Sequence, residues 1–275
     1  MKKIIFLMLA AALFIGCKSS ESRQGAEQFG NEPPCEHEYS QADIDRELNR
    51  LAMITDRADY TDDASFANFR EVNTKGIRPG ILYRSSHPAV PGARADIAAR
   101  QADRARVFTI VNILDTRREI TLYAANVPWY NTYINRDAIT ALFAGKEFFE
   151  PNFAGKLGEG LRFMIHRRGP YLIHCDYGTD ATGFVVALLE ALMGASPDEI
   201  IADYMQSYVN YYGFSEDEER YKIISQIPHE YLCKMNEGRV VNAANVSHAA
   251  ELYLQNVVHL SPATITELKQ MLASR

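Results

Sequence analysis

The amino-acid sequence predicts an α/β fold, with a central, mostly parallel sheet flanked by helices and a helical C-terminal part. Two continuous apolar runs, VFTIVNIL (107–114) and PYLIHC (170–175), are typical of strands that are buried on both faces. Segments of helical periodicity lie between and after them, and such alternation favours parallel pairing. The 275 residues are 47% hydrophobic and 23% charged, which is an ordinary globular composition and enough for one sizeable core.

The first 16 residues are predicted to be a signal peptide. Lys2 and Lys3 precede an apolar run that is too short for a comfortable membrane span, and the small residue Gly16 stands before Cys17. This pattern is that of a lipoprotein cleavage site, so Cys17 is the predicted lipidation residue. We therefore expect an exported chain, anchored on the periplasmic face or the cell surface. A signal that is cleaved elsewhere, with Cys17 discarded, is the alternative.

Residues 17–38 are polar and are predicted to form a lipid-anchored tether, which leaves residues 39–275 as one domain. The formal net charge is −6, and removal of the two signal lysines makes it −8. An acidic surface argues against general nucleic-acid binding. Cys35 and Cys233 either form a disulfide in an oxidising compartment or remain free, and Cys175 is the odd thiol. No metal-ligand spacing is present, so neither a metal nor a cofactor is expected.

In the first half of the domain, predicted helices alternate with predicted strands. Ser40 caps a segment with apolar residues at helical spacing, which predicts a helix. GILYRSSHP (80–88) is predicted to be a short strand that enters a loop. After the first buried strand, REITLYAANV (118–127) is either a helix or an irregular link. PWYNTYI (128–134) is rich in aromatic and β-branched residues and is predicted to be a strand, followed by a long loop over 135–155.

The second half is mostly helical. The run Ser196-Pro197-Asp198-Glu199 combines a capping serine, a proline in the first turn and a glutamate three residues after the cap, which is a strong helix start. Tyrosines at helical spacing in 204–214 indicate helix packing. Further helices are predicted over 95–107, 155–169, 181–194 and 262–273.

The loop CDYGTDA (175–181), between the second buried strand and the next helix, is predicted to bind an anion. Ligands of such sheets bind at the carboxyl ends of the strands, where Cys175 stands. Gly178 permits unusual backbone geometry, and successive amides with a helix N-terminus form a concave anion site. The same partial charge favours a thiolate, which is a nucleophile for a bound phosphoryl group. His174 is expected to orient the loop, and Thr182 to donate its hydroxyl to the thiolate.

The stretch HCDYGTDATGF (174–184) resembles the signature of cysteine-dependent protein tyrosine phosphatases: His-Cys, five residues, Arg, then Ser/Thr-Gly. It is most similar to the bacterial branch of tyrosine and lipid phosphatases, with His-Cys-x-x-Gly-Lys-Asp-Arg-Thr-Gly. Segments 68–88, 109–120 and 253–272 also resemble that branch, in the same order. The resemblance covers about residues 60–273. It implies a cysteine-phosphatase-like fold and metal-free phosphate monoester hydrolysis through a phosphocysteine intermediate.

Two positions depart from that signature. Thr179 stands where the family has lysine, and Ala181 stands where it has the phosphate-gripping arginine. A guanidinium makes two charge-assisted hydrogen bonds of about 1.5–3 kcal/mol each, so its loss costs roughly two to four orders of magnitude in rate. The resemblance assigns substrate binding to these loop positions: His174, Asp176, Tyr177, Gly178, Thr179, Ala181 and Gly183.

A cation from another part of the chain has to reach the loop, because the carboxylates of Asp176 and Asp180 both repel a phosphate dianion. Arg84 is the first candidate, since the family places this arginine near the pocket. Arg117 and Arg136 are weaker candidates.

The general acid has two candidates. Across the superfamily it lies on a loop well ahead of the cysteine, which favours Asp137. The bacterial branch keeps an aspartate within the signature, which favours Asp180. Asp115, at the end of its strand, is predicted to be structural.

Two functions stay open. The chain is either an exported phosphatase of phosphorylated protein, phosphoinositide or a small phosphate ester, or a catalytically dead pseudophosphatase that acts as a binding module. Ala181 favours low or absent activity. A redox-responsive cysteine domain is a third, weaker interpretation. The aromatic residues Trp129, Tyr130, Tyr133 and Tyr177 either line a substrate pocket or, as such residues do more often, pack in the core.

Overall fold

A four-stranded mixed sheet forms the centre of the computed structural model, which describes residues 32–273. The strands are β1 (Arg70–Glu71), β2 (Leu82–Ser85), β3 (Thr109–Asn112) and β4 (Tyr171–His174). Their order across the sheet is β1-β2-β4-β3. β1 pairs with β2 in antiparallel orientation, whereas β4 is parallel to both β2 and β3. The predicted α/β class, with a mostly parallel sheet, is confirmed.

Helices surround this sheet and dominate the C-terminal part. In chain order they are α1 (Gln41–Leu48), α2 (Asp63–Phe66), α3 (Ala93–Arg104), α4 (Arg117–Asn126), α5 (Pro128–Asn135), α6 (Pro151–Ile165), α7 (Asp180–Leu192), α8 (Pro197–Tyr212), α9 (Glu219–Ile224), α10 (Gln226–Met235), α11 (Val246–Asn256) and α12 (Pro262–Leu272). Among residues 32–273, none of the helices has the length and apolarity needed to cross a membrane. The predicted signal peptide and Cys17 lie outside the described residues.

The core is built around α7, which follows β4 directly. The side chains of Phe184, Leu188 and Leu189 on this helix are fully buried. They belong to one apolar cluster with residues of α6, α8 and α11. Burial of such a side chain contributes about 1.5–3 kcal/mol, so the helix that follows the Cys175 loop is held firmly by this apolar cluster.

The strand predicted over 128–134 is wrong, because this segment is the helix α5. Pro128 occupies its first turn, where the fixed φ of proline suits a helix. Tyr130 and Tyr133, one helical turn apart, are both buried. Tertiary packing of these rings overrides the β-propensity of the aromatic residues. The ambiguous segment before it is helical too, and begins with a capping box between Thr116 and Glu119.

After α5 the chain runs alongside β3 in the same direction. The Ile110 amide donates to the carbonyl of Ala138 (2.8 Å), and the Leu142 amide donates to the carbonyl of Asn112 (3.2 Å). The predicted long loop therefore contains an added ladder at the edge of the sheet. Because this ladder runs towards the carboxyl ends of the strands, it brings residues 145–146 to the side where Cys175 lies.

The folded part begins before residue 39. The Cys35 amide donates to the carbonyl of Gly238 (2.9 Å), and the Val240 amide donates to that of Pro33 (3.0 Å). Cys35 and Cys233 form a disulfide with their Cα atoms 6.2 Å apart. Of the two alternatives for these cysteines, the structure therefore has the paired one. Cross-linking residues 198 positions apart constrains the unfolded chain and typically stabilises the fold by about 2–4 kcal/mol.

Candidate active site

Cys175 stands directly after β4, at the carboxyl ends of the parallel strands, and the loop behind it leads into α7 at Asp180. It is a free cysteine and is buried. A cavity of about 170 Å³ opens over it. Its lining consists of Ile113, Leu114, Gly145, Lys146, Cys175, Asp176, Tyr177, Thr179, Asp180 and Ala181. The fold thus builds the pocket that the loop sequence predicts.

The loop is held from behind by its carbonyl groups. The carbonyl of Asp176 accepts from the amide of His87 (2.7 Å). The carbonyl of Gly178 accepts from Nη2 of Arg84 (2.7 Å). Gly178 has φ of +73°, and a Cβ there would lie 2.2 Å from the carbonyl oxygen of Ser85. Glycine is therefore required where the loop presses against β2.

The carbonyl between these two is anchored twice. The carbonyl of Tyr177 accepts from Nδ2 of Asn68 (3.0 Å) and from the hydroxyl of Tyr211 (2.8 Å). Three consecutive carbonyls of the loop, those of residues 176–178, therefore point into the scaffold. Neither Asn68, just before β1, nor Tyr211, on α8, was identified from the sequence, because their approach to the loop depends on how β1 and α8 pack around it.

The amide groups of the loop face the other way. In a planar trans peptide the N–H points opposite to the C=O, so the amides of Tyr177, Gly178 and Thr179 point away from the scaffold. Within residues 32–273, none of these three amides donates a hydrogen bond. These amides and the N-terminus of α7 lie next to Cys175, and an arrangement of this kind is able to bind an anion.

Arg84, the first candidate for the missing cation, lies on the other side of the loop. Its side chain is fully buried, and Nη1 forms an ion pair with Oδ2 of Asp203 (2.5 Å). Arg70 pairs with the second carboxylate oxygen of Asp203 (2.8 Å). Burial raises the pKa of Asp203, but the two arginines more than offset this and lower it. Arg84 therefore positions the loop, and its assignment to substrate binding is corrected.

The cation that does reach the cavity is Lys146, which the sequence did not single out. Its Nζ lies 2.8 Å from Oδ2 of Asp180, and this contact raises the pKa of Lys146. The lysine lines the same cavity as Cys175 and Ala181. The only sequence signal is that it is the single lysine between Lys75 and Lys156.

Asp137 lies at the opposite end of the sheet. It precedes Ala138, which pairs near the start of β3, and its exposed carboxylate forms an ion pair with Arg167. The structure does not bring it to the cavity, which corrects its assignment as first candidate for the general acid. Of the two candidates, Asp180 lines the cavity. Arg136 is also remote, since it donates to the carbonyl of Phe108 before β3.

Arg117, the other weaker candidate for the cation, also lies outside the cavity. It is exposed at the first residue of α4 and is not part of the cavity lining. Neither of the weaker arginine candidates therefore meets the loop among the described residues.

A buried polar network lies beneath Cys175. Nδ1 of His174 donates to the carbonyl of Cys175 (3.1 Å), and Nε2 accepts from the hydroxyl of Tyr130 (3.2 Å). Burial, reinforced by the nearby His87, lowers the pKa of His174 to about 3, so the ring is neutral. His174 thus contacts the loop as expected, and Tyr130 belongs to the core.

The network continues to a buried His-Asp pair. Nδ1 of His87 accepts from the amides of Ala89 and Val90, so Nε2–H donates to Oδ2 of Asp115 (2.7 Å). Nδ2 of Asn112 donates to the same oxygen (2.7 Å). Burial raises the pKa of Asp115, but these hydrogen bonds more than offset it and lower the value. Asp115 has the structural placement that was expected.

Two further loop residues have packing roles. Thr182 is fully buried, and its hydroxyl makes no hydrogen bond within residues 32–273, so the expected contact with Cys175 is not formed. A Cβ on Gly183 would lie 2.5 Å from the ring of Tyr204. The absence of a side chain at Gly183 therefore lets α8 pack closely against α7, and the structure does not place this residue at the cavity. Of the predicted aromatic set, Tyr133 is in the core and Tyr177 is 45% exposed at the cavity.

Fold and site together define a cysteine-dependent phosphatase-like domain. The model of the tyrosine phosphatase family matches residues 64–274, and this chain belongs to that family. Family membership supports a phosphatase function, with phosphorylated substrates such as proteins or small phosphate esters.

One solved structure with similarity is the core catalytic domain of the PP-IP phosphatase SIW14 from S. cerevisiae, in complex with citrate. The identity is 16%, the match covers 62% of this chain and 93% of that chain, and the TM-score is 0.36. No curated protein matches the sequence.

Proposed function

We propose that this protein is a slow phosphate monoester hydrolase that uses Cys175 as its nucleophile. One observation carries the proposal. Three loop carbonyls are tied to the scaffold, so the next three amides point away from it and donate to no other described residue, and two of their residues, Tyr177 and Thr179, line the cavity that holds the cysteine. Such a set of donors binds the equatorial oxygens of a phosphoryl group and stabilises the charge that develops on them.

The first step transfers the phosphoryl group to sulfur. The phosphate dianion binds to the loop amides, and the Cys175 thiolate attacks phosphorus as the P–O bond of the ester breaks. For this step the Asp180 carboxyl, which lines the cavity, has to leave its ion pair with Lys146 and take up a proton, which it then donates to the leaving oxygen.

The second step regenerates the cysteine. Water attacks phosphorus and gives its proton to the Asp180 carboxylate, while the S–P bond breaks and inorganic phosphate leaves. No metal, oxidant or reductant takes part in either step.

The charges around the cavity support a low rate. Lys146 is the cation that reaches the pocket, but it is a point charge and cannot form the bidentate contact of an arginine. It is also paired with Asp180. We therefore expect a rate about two to four orders of magnitude below that of a loop with arginine at position 181.

The alternative is a pseudophosphatase that binds a phosphorylated partner without turnover. The same pair favours it, because Lys146 and Asp180 cancel, and Asp176 adds a further negative charge at the cavity. The two functions share the anion site and differ only in whether Cys175 completes a reaction.

We also propose that the chain is exported and anchored through a lipid on Cys17. The Cys35–Cys233 disulfide supports this location, because disulfides persist in oxidising compartments. Release of the chain from membranes without detergent would contradict the anchor.

The function is tested with an aryl phosphate, by measuring phosphate release from the purified chain, the Cys175→Ser variant and the Ala181→Arg variant. We expect release by the wild type above the Cys175→Ser control, and an increase of about 10²-fold or more in Ala181→Arg. Wild-type release equal to the control would overturn the hydrolase. If Ala181→Arg then hydrolyses the ester, the scaffold is intact and the pseudophosphatase stands.

A further inference from the structure

A second and larger cleft adjoins the cavity of Cys175. Its volume is about 600 Å³. Lys146, Tyr177, Thr179 and Asp180 line both spaces. A phosphate ester whose phosphoryl group lies over Cys175 therefore extends its other end into this cleft.

One wall of the cleft comes from the N-terminal segment of the fold, which precedes the part matched by the family model (64–274). Its residues are Gln41, Ile44, Leu48, Leu51 and Met53, from α1 and the chain behind it. Four of these five side chains are apolar. An apolar wall from outside the matched part therefore lies next to the Cys175 cavity.

A second part of the lining is aromatic. It is formed by side chains of α8 and α10 and of the loop before α6: Phe148, Tyr204, Tyr208, Tyr212 and Tyr231. Burial raises the pKa of Tyr208 and Tyr231, so these phenols stay neutral at any physiological pH.

The charged side chains of the cleft form two pairs. Lys146 pairs with Asp180 (2.8 Å), and Lys234 pairs with Glu230 (2.6 Å). The lining as a whole is therefore neutral. A leaving group with further phosphates would meet two carboxylates and find each ammonium already engaged.

The N-terminal wall is fixed to the rest of the cleft. The Cys35–Cys233 disulfide joins the chain before α1 to α10, and the hydroxyl of Tyr39 donates to Glu219 (2.6 Å). Leu48 packs on the aromatic cluster that contains Tyr208. The wall is thus a built part of the site.

We infer that this cleft binds the leaving group of the substrate, and that this group is bulky, electrically neutral and largely apolar or aromatic. The inference rests on the proposed function, since it takes the phosphoryl group to lie at Cys175. It excludes multiply phosphorylated leaving groups as preferred substrates, and it gives the N-terminal segment the role of a specificity element.

The test compares phenyl phosphate with the larger biphenyl phosphate, using the full chain. In the wild type we expect a kcat/KM at least about tenfold higher for the biphenyl ester, because it buries a second ring. Leu48→Ala should lower kcat/KM for the biphenyl ester about five- to tenfold and leave phenyl phosphate within about twofold. Leu122→Ala is the matched control, because Leu122 lies on α4, is 58% exposed and is not part of the cleft.

A binding measurement separates this inference from the proposed function. Calorimetry on Cys175→Ser would compare biphenyl phosphonate, methyl phosphonate and inositol hexakisphosphate. We expect at least about tenfold tighter binding of the biphenyl compound than of the other two, and a loss of that preference in Leu48→Ala. If this binding preference is measured but no ester is hydrolysed, the proposed hydrolase function is wrong and the inference about the cleft stands. Equal binding of the two phosphonates, or tightest binding of the polyphosphate, would overturn the inference.

Discussion

The two sides of the Cys175 loop differ sharply in how they are bonded. On the back, the carbonyls of residues 176–178 all accept hydrogen bonds from the scaffold, and the buried Arg84 is one of the donors. On the front, the amides of residues 177–179 donate to no other residue that the structure describes, Ala181 supplies no charge, and the side chain of Lys146 is 71% exposed. The loop therefore keeps its shape without the arginine that grips phosphate in related loops.

The ion pairs on the two sides of the loop also differ in how much they contribute to stability. Arg84, Arg70 and Asp203 form a buried group in which removal of one partner leaves charge or hydrogen-bonding groups unmatched, at a cost of several kcal/mol. The Lys146–Asp180 pair is largely exposed, and such pairs contribute about 0–1 kcal/mol. Loss of the signature arginine can thus reduce catalysis while the loop stays folded.

The largest effect expected from a test of this comparison is that of Arg84→Met. The change leaves the carbonyl of Gly178 without its donor and Asp203 with one arginine, so we expect the free energy of unfolding to fall by about 3 kcal/mol or more. Urea unfolding followed by circular dichroism measures it.

Arg50→Met serves as the control for this change. Arg50 pairs with Glu47 on the surface and its side chain is 65% exposed, so a change within about 0.5 kcal/mol is expected. If Arg84→Met were no more destabilising than Arg50→Met, the back of the loop would not depend on the buried arginine.

The sequence sufficed for what is local to the loop. A buried strand, the loop with Cys175 and Gly178, and an apolar helix follow one another along the chain, so the strand-loop-helix unit around Cys175 could be predicted from the sequence. Arg84 was correctly placed near the loop. The side of the loop on which the Arg84 side chain lies could not be predicted. It depends on the pairing of β2 with β4 and on Asp203, which is contributed by α8.

What the sequence missed depends on distant packing. The edge ladder over 138–144 brings Lys146 to the cavity of Cys175 and leaves Asp137 at the other end of the sheet. That ladder follows α5, which was predicted to be a strand because its buried tyrosines resemble a sheet face. The wrong strand therefore bears on the choice of Asp137 as general acid, whereas Arg84 was chosen from the family resemblance.

The second test concerns the neutral His174 beneath the loop. Its pKa is about 3 in the folded chain against an ordinary value of 6.5, so between these values only the unfolded chain binds the proton. Stability should therefore be full above pH 6.5 and fall as the pH decreases towards 3, by up to about 1.4 kcal/mol per pH unit. Urea unfolding at pH 7, 6, 5 and 4 gives the slope.

His174→Gln should flatten this slope, whereas His166→Gln should not, since His166 is exposed. The half-buried His229 has a lowered pKa and adds a change of the same sign, so the difference between the two variants is the decisive quantity. Equal slopes in the wild type and in His174→Gln would mean that the buried ring of His174 takes up a proton as easily in the folded chain as in the unfolded chain.

The smallest effect is expected from the front, in Lys146→Gln. Removal of one charge-assisted hydrogen bond to the phosphoryl group should lower kcat/KM about tenfold, while the free energy of unfolding changes by less than about 0.5 kcal/mol. Lys146→Arg should retain the rate, and Lys156→Gln, on α6 and away from the cavity, should have no effect. In an Ala181→Arg background the loss from Lys146→Gln should shrink, because the guanidinium then holds the same oxygens. A tenfold loss of activity accompanied by a large loss of stability would show that the two sides of the loop are coupled, and the separation between shape and charge would fail.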